Sequence, residues 1–284
     1  MNRRYLIKAV LVAGIFGVAT GVLAADPYPN KPGAGGTIGA TVAAKARPDG
    51  YTLLFSPSTF VSTPMTMPTP PYDAIKDFTP IALVAKAPLA IAIRPDLAFN
   101  DVKGLIAYAK AHPGSVSFAI GSSASAGHLS TELLKRAAGI DYLVVPYKGS
   151  GPAYQDLMGG RIDAFIDPIL GSASHAKAGR VKVIAVTSKE RLAASPNVPT
   201  VGETIPGFEF YSWYGLWGPA KLPKEIADKL NAEVNKALSG DMNAKLTEQG
   251  LLLTPGTIDD FVKFQREDTT TIARIIKEAN IRAE

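Results

Sequence analysis

Short apolar runs alternate along this chain with segments whose apolar residues recur at helical spacing. That alternation predicts strands followed by helices. Residues 51–55 read as a buried strand, after a short helix over 37–46 that Arg47-Pro48-Asp49-Gly50 stops as a turn. Residues 56–71 are rich in Ser, Thr and Pro and read as a long loop. Two β-like runs follow at 81–84 and 89–93, and Asp101 is placed to cap a helix running to residue 111. The middle of the chain is the most regular. Strands are expected at 116–120, 142–147, 161–166 and 181–187, with helices at 127–138, 153–158 and 169–178 between them. Leu129, Leu133 and Ala137 would form the buried face of the first of these helices, and Gly139 would close it. Such alternation predicts a parallel sheet with right-handed crossovers. Beyond the aromatic segment 208–217, helices are expected at 223–238, 242–249 and 257–279.

The expected fold is therefore α/β with two lobes. Residues 26–99 and 213–284 form one discontinuous lobe, and 100–212 are inserted as the other. Two crossings would make a hinge, with a cleft between the lobes. Residues 1–25 are expected to be a signal peptide. They carry basic Arg3, Arg4 and Lys8, an uncharged stretch from 9 to 22, and small residues in Val22-Leu23-Ala24-Ala25 where a signal peptidase cuts. A membrane anchor is the alternative, but the apolar run is short for a span of about 20 residues.

Composition narrows the chemistry. Removing the three leader cations lowers the formal charge from +5 to +2, and no basic cluster remains to track a phosphate backbone. No nucleic-acid partner is expected. The 46% hydrophobic and 19% charged residues of a 284-residue chain describe a globular protein rather than a disordered one. With no Cys, disulfides, thiolate nucleophiles and Cys-type zinc sites are excluded. His112, His128 and His175 have no helical i,i+4 pairing, so neither a metal nor a cofactor is expected. A monomer outside the cytoplasm is expected.

The strongest candidate site is Gly121-Ser122-Ser123-Ala124-Ser125-Ala126-Gly127-His128, between a strand and a helix. Backbone N–H groups at a helix start, with serine hydroxyls beside them, make a cradle for an anion. Open α/β sheets bind ligands at the carboxyl ends of their strands. A plain Gly/Ser loop with serine capping is the alternative, and His128 on the first turn also reads as a cap or packing residue. Lys148, Gly149 and Ser150 form a second strand-to-helix turn. Asp167 ends a strand on the same edge, where it could meet a ligand or cap the next helix. Ser56 and Ser58 follow the strand ending at Phe55 and could face these loops. Two enzyme readings fail. Gly33-Ala34-Gly35-Gly36-Thr37-Ile38-Gly39 has the wrong spacing for a dinucleotide fingerprint and no strand before it. No serine sits in G-x-S-x-G, and no nucleophile–base–orienter set can be assembled, so no catalytic residue is expected.

Several motifs together resemble a known family. They are Pro-Gly-Ala-Gly-Gly-Thr-Ile-Gly-Ala at 32–40, Arg47-Pro48-Asp49-Gly50-Tyr51-Thr52-Leu53-Leu54, Gly127-His128-Leu129 with Glu132-Leu133, Val145-Pro146-Tyr147-Lys148-Gly149, Gly160-Arg161-Ile162-Asp163, Ala185-Val186-Thr187-Ser188, Val198-Pro199-Thr200 and Trp213-Tyr214-Gly215-Leu216-Trp217-Gly218-Pro219-Ala220. In this order they resemble the Bug-type, TctC-like substrate-binding proteins of tripartite tricarboxylate transporters, over nearly the whole chain after the leader. The resemblance implies a periplasmic receptor of the type II Venus-flytrap class. It would bind a small organic carboxylate and deliver it to membrane permease subunits. It implies ligand contacts from Ser122, Ser123, Ser125, Ala126, Gly127, His128, Lys148, Gly149, Ser150 and Asp167. A ligand-sensing or scaffold role toward a membrane signalling partner is the other function such a fold could serve. One departure stands out. Tyr28-Pro29-Asn30-Lys31-Pro32 runs straight into Gly33-Ala34-Gly35-Gly36, where the family has a strand, a Pro-Pro-Gly-Gly loop, a helix and a second strand. The first lobe is therefore expected to be incomplete, and carboxylate binding weakened or lost.

Overall fold

The structure, a computed structural model, describes residues 10–11, 34–240 and 242–282. The elements in order are β1 (Val10–Leu11), α1 (Thr37–Ala44), β2 (Leu54–Pro57), α2 (Thr59–Ser62), β3 (Phe78–Ile93), α3 (Val102–Ala111), β4 (Ser117–Ile120), α4 (Ala126–Ala138), β5 (Leu143–Pro146), α5 (Ser150–Met158), β6 (Ala164–Pro168), α6 (Ile169–Lys177), β7 (Lys182–Val186), β8 (Tyr211–Pro219), α7 (Lys224–Leu238), α8 (Met242–Glu248), β9 (Leu252–Leu253) and α9 (Ile258–Ala279). The expected signal peptide lies outside the described residues, apart from the two that form β1.

The chain divides into two compact units. The first takes Met1–Ala85, Trp213–Gly240 and Thr254–Thr270, and the second takes Lys86–Ser212, Asp241–Leu253 and Thr271–Glu284. β3 contributes to both: residues 78–85 belong to the first unit and 86–93 to the second. The sequence reads as two separate β-runs here, yet the structure has one strand of 16 residues. The intervening Ala85-Lys86-Ala87-Pro88 holds no Gly, Asn or Asp to turn the chain back.

In the first unit, β2 runs antiparallel to β8, with Leu54 opposite Trp217 and Pro57 opposite Tyr214. On its other side β2 pairs with β1 in parallel, Val10 with Leu54 and Leu11 with Phe55. The stretch expected to be loop also contains α2 and a turn of 3-10 helix at Pro64–Thr66. The core is aromatic. Phe60, Phe78, Trp213, Trp217 and Phe261 are almost fully buried, with the rings of Phe60 and Trp217 4.5 Å apart. Each buried indole N–H finds a partner, as burial demands: Trp213 donates to Asp268 at 2.7 Å and Trp217 to Gln265 at 3.0 Å. One face of α1 stays open, with Ile38 and Val42 about half exposed.

In the second unit the strand order is β7-β3-β6-β4-β5. β4 lies parallel to β5 and to β6, as the alternation predicts. β3 then enters antiparallel between β6 and β7, so the sheet is mixed rather than wholly parallel. The physical reason is apolarity: Leu89 through Ile93 are fully buried, which suits the centre of a sheet and not an edge. The α4 face also differs from the expected stripe. Leu129 and Leu134 are buried while Leu133 is half-buried and Ala137 exposed. Ser130 and Thr131 go inward with them, because the start of α4 lies hard against β6.

Candidate anion-binding site

Parallel β4, β5 and β6 end on one edge of the sheet, and α4, α5 and α6 begin there. The first turn of each helix has backbone N–H groups with no intrahelical acceptor and carries the positive end of the helix dipole. None of the three has an acidic residue in that turn. The loops are drawn together by two bonds that extend the strand ladder: Tyr147 N–H donates to Ile120 O at 2.8 Å, and Gly149 N–H to Gly121 O at 2.6 Å. A Cβ added at Gly121 would come within 3.5 Å of the Ser150 hydroxyl. Gly121, Gly149 and Ser150 therefore share one spot, as the strand-end argument expects.

The start of α4 is fixed by contacts that the sequence only partly discloses. A Cβ at Gly127 would lie 2.3 Å from the Ile166 carbonyl oxygen. Only glycine permits the helix to approach β6 this closely. Ser125 is the N-cap, accepting from the His128 N–H at 3.2 Å. The Ser122 carbonyl accepts from the Ser125 N–H. Ala124, held at φ 56°, donates its N–H to Nδ1 of His128 at 3.2 Å, which leaves the ring proton on Nε2. Burial pushes the His128 pKa down to about 4. His128 is thus a neutral brace of the loop and not a cation facing it. The Ser123 hydroxyl donates to the Arg282 carbonyl at 2.9 Å, so the chain's C-terminal segment ties down the same loop. Ala126 is buried behind it.

Lys148 is exposed on the turn before α5. Asp167, by contrast, is buried and accepts from the Ser150 hydroxyl at 2.9 Å. It does not cap α6, whose N-cap is Pro168. Burial raises its pKa to about 7, against the opposing effect of the Ser150 and Tyr154 hydroxyls. Tyr154 and His175, which complete this cluster, were not singled out by sequence. Their only signal was a polar atom on the inner face of a short helix. Ser56 and Ser58 are buried in the first unit, Ser56 paired with Gly215 of β8 and Ser58 at the start of α2. The structure therefore brings the 121–128, 148–150 and 167 residues together in one unit and places Ser56 and Ser58 in the other. Among the described residues no group of three or more His, Cys, Asp or Glu could hold a metal ion.

A sequence model described as tripartite tricarboxylate transporter family receptor, TctC, matches residues 27–281. The chain belongs to this receptor family. Solved TctC-type structures share its α/β fold, that of two-lobed periplasmic binding proteins. A protein of R. palustris solved with adipate is 32% identical, with a TM-score of 0.85 over 90% of this chain and 87% of that one. The periplasmic binding protein BugD is also 32% identical, with a TM-score of 0.81 over 90% and 87%. MatC from Rhodopseudomonas palustris, with bound malate, is 31% identical, with a TM-score of 0.77 over 88% and 87%. TctC proteins are substrate-binding receptors rather than enzymes. Among the described residues no helix is long and apolar enough to cross a membrane.

Proposed function

We propose that this chain is a periplasmic receptor that binds a small organic carboxylate and passes it to the permease of a tripartite tricarboxylate-type transporter. Export through a cleaved leader at residues 1–25 belongs to this reading. The observation that carries it is the convergence of three helix starts on one sheet edge, with no acid in any first turn. A carboxylate seated there would accept charge-assisted bonds from the free backbone N–H groups of the helix starts, each contributing about 1.5–3 kcal/mol. Three such bonds, less the cost of ordering the ligand, support binding of roughly micromolar strength. Adipate and malate in related structures are ligands of this chemistry.

The test is a thermal-shift screen of dicarboxylates and tricarboxylates with the whole protein. A ligand at about a hundred times its Kd should stabilise the fold by about 2.7 kcal/mol. A screen in which no organic acid raises the melting temperature would count against the receptor reading. A second reading, a receptor weakened by an incomplete first lobe, is favoured by the half-exposed Ile38 and Val42 and by one side of β2, whose described strand partner, β1, lies within the proposed leader. It predicts measurable but weak binding.

A further inference from the structure

The second unit buries a polar cluster beside the anion-binding loops. Asp167 closes β6 with its Oδ1 bonded to the Ser150 hydroxyl. α6 presses on the other oxygen: a Cβ at Gly171 would lie 2.3 Å from Asp167 Oδ2 and 3.2 Å from the Tyr154 hydroxyl. That hydroxyl lies beside the Asp167 carboxyl and works against the rise of its pKa, while Nδ1 of His175 is buried without a hydrogen-bond partner, its ring centroid 4.8 Å from that of Tyr154. From β3 the residue opposite Asp167 is Ala90. The titratable groups packed around the cluster are Tyr154 on α5 and His175 on α6, with Arg180 near it; His128 stands in the first turn of neighbouring α4. Among the described residues no cation forms an ion pair with Asp167.

A buried carboxylate without a cation is costly, and the cost falls if the group keeps its proton. A protonated carboxyl also gains an O–H to donate, either to the neighbouring Tyr154 oxygen or to a ligand. Ser150 links this cluster to the loops, since it opens α5 and bonds Asp167 with the same hydroxyl that approaches Gly121. An anion seated at Gly121 and Ser150 therefore lies one hydroxyl away from Asp167. Two negative charges at that separation repel, while a neutral acid does not.

Resting on the carboxylate reading above, we propose that Asp167 acts as an uncharged acid in the bound state, so that the receptor holds one proton for each carboxylate ligand it takes. Affinity then falls as pH rises. His128 is uncharged where Asp167 titrates, because burial holds its pKa at about 4, and burial with nearby Arg180 shifts His175 down, away from that range.

The experiment is calorimetric titration of the whole protein with adipate and with malate between about pH 6.5 and pH 8.5, where these acids are almost fully ionised. In the wild type the affinity should fall by about tenfold for each unit above pH 7. Asp167→Asn, a fixed neutral isostere, should keep the acidic-limb affinity at every pH. A wild-type affinity that is flat or rises with pH, or an Asp167→Asn protein with the wild-type slope, overturns the proposal. If neither acid binds at any pH, the carboxylate reading is what fails for these probes. The proton on Asp167 is then read from unfolding alone. A folded-state pKa above the unfolded value favours the fold at low pH and loses that contribution as pH rises through 7. The melting temperature of the wild type should therefore drop relative to Asp167→Asn between pH 5 and pH 8. Parallel curves would overturn the assignment.

Discussion

Two sets of helix starts in this molecule are built on opposite electrostatic plans. α7 opens with Glu225 and α9 with Asp259 and Asp260, acids that satisfy the positive end of the helix from within the chain. α4, α5 and α6 open with no acid at all, and they do so together on one sheet edge. An isolated helix without an acidic first turn means little. Three neighbours of this kind are the basis on which we propose that the compensating negative charge comes from a bound anion. α1 and α8 also lack an acid in the first turn, so what sets α4, α5 and α6 apart is that three such starts share one sheet edge.

The contrast can be broken most severely at Gly127. Gly127→Val drives a side chain into the Ile166 carbonyl. It should cost about 3 kcal/mol or more in urea unfolding, through overpacking, and abolish ligand binding as α4 is displaced. Gly151→Glu sharpens the contrast. Gly151 is exposed, with open space at its Cβ, so an acid there gives α5 the plan of α7. The dipole favours that acid by about 0.5 kcal/mol, but a side chain just before Pro152 is disfavoured in helical backbone, so stability should change little. Carboxylate affinity should meanwhile fall by about tenfold or more. Unchanged affinity in that variant would show that the α5 start takes no part in binding. Glu225→Gln in α7 is the smallest change. Unfolding should register a loss of about 0.5 kcal/mol, with the calorimetric affinity untouched.

Local chemistry made much of this legible. Asp101 caps α3 by accepting from the Gly104 N–H at 2.6 Å, and Gly139 closes α4 in the left-handed region at φ 59°, each as its neighbours in sequence dictate. The parallel run of β4, β5 and β6 followed from strand–helix alternation, and with it the shared edge where the 121–128 and 148–150 loops meet. What escaped depends on partners remote in sequence. The insertion of β3 between β6 and β7 is decided by which strands need both faces covered, not by the β3 pattern itself. The bond from the Ser123 hydroxyl to the carbonyl of Arg282, 159 positions away, is likewise invisible to local pattern. The α4 face was misjudged because its packing is governed by one glycine against one carbonyl, and helical periodicity does not register such a contact.

The chain has two tryptophans, and both lie in the aromatic core of the first unit. Intrinsic indole fluorescence therefore watches one half of the protein. The proposed carboxylate binding at the loops of the other half would reach that signal only if the disturbance spreads. Emission and circular dichroism followed side by side during denaturation would separate the melting of the two halves without any label.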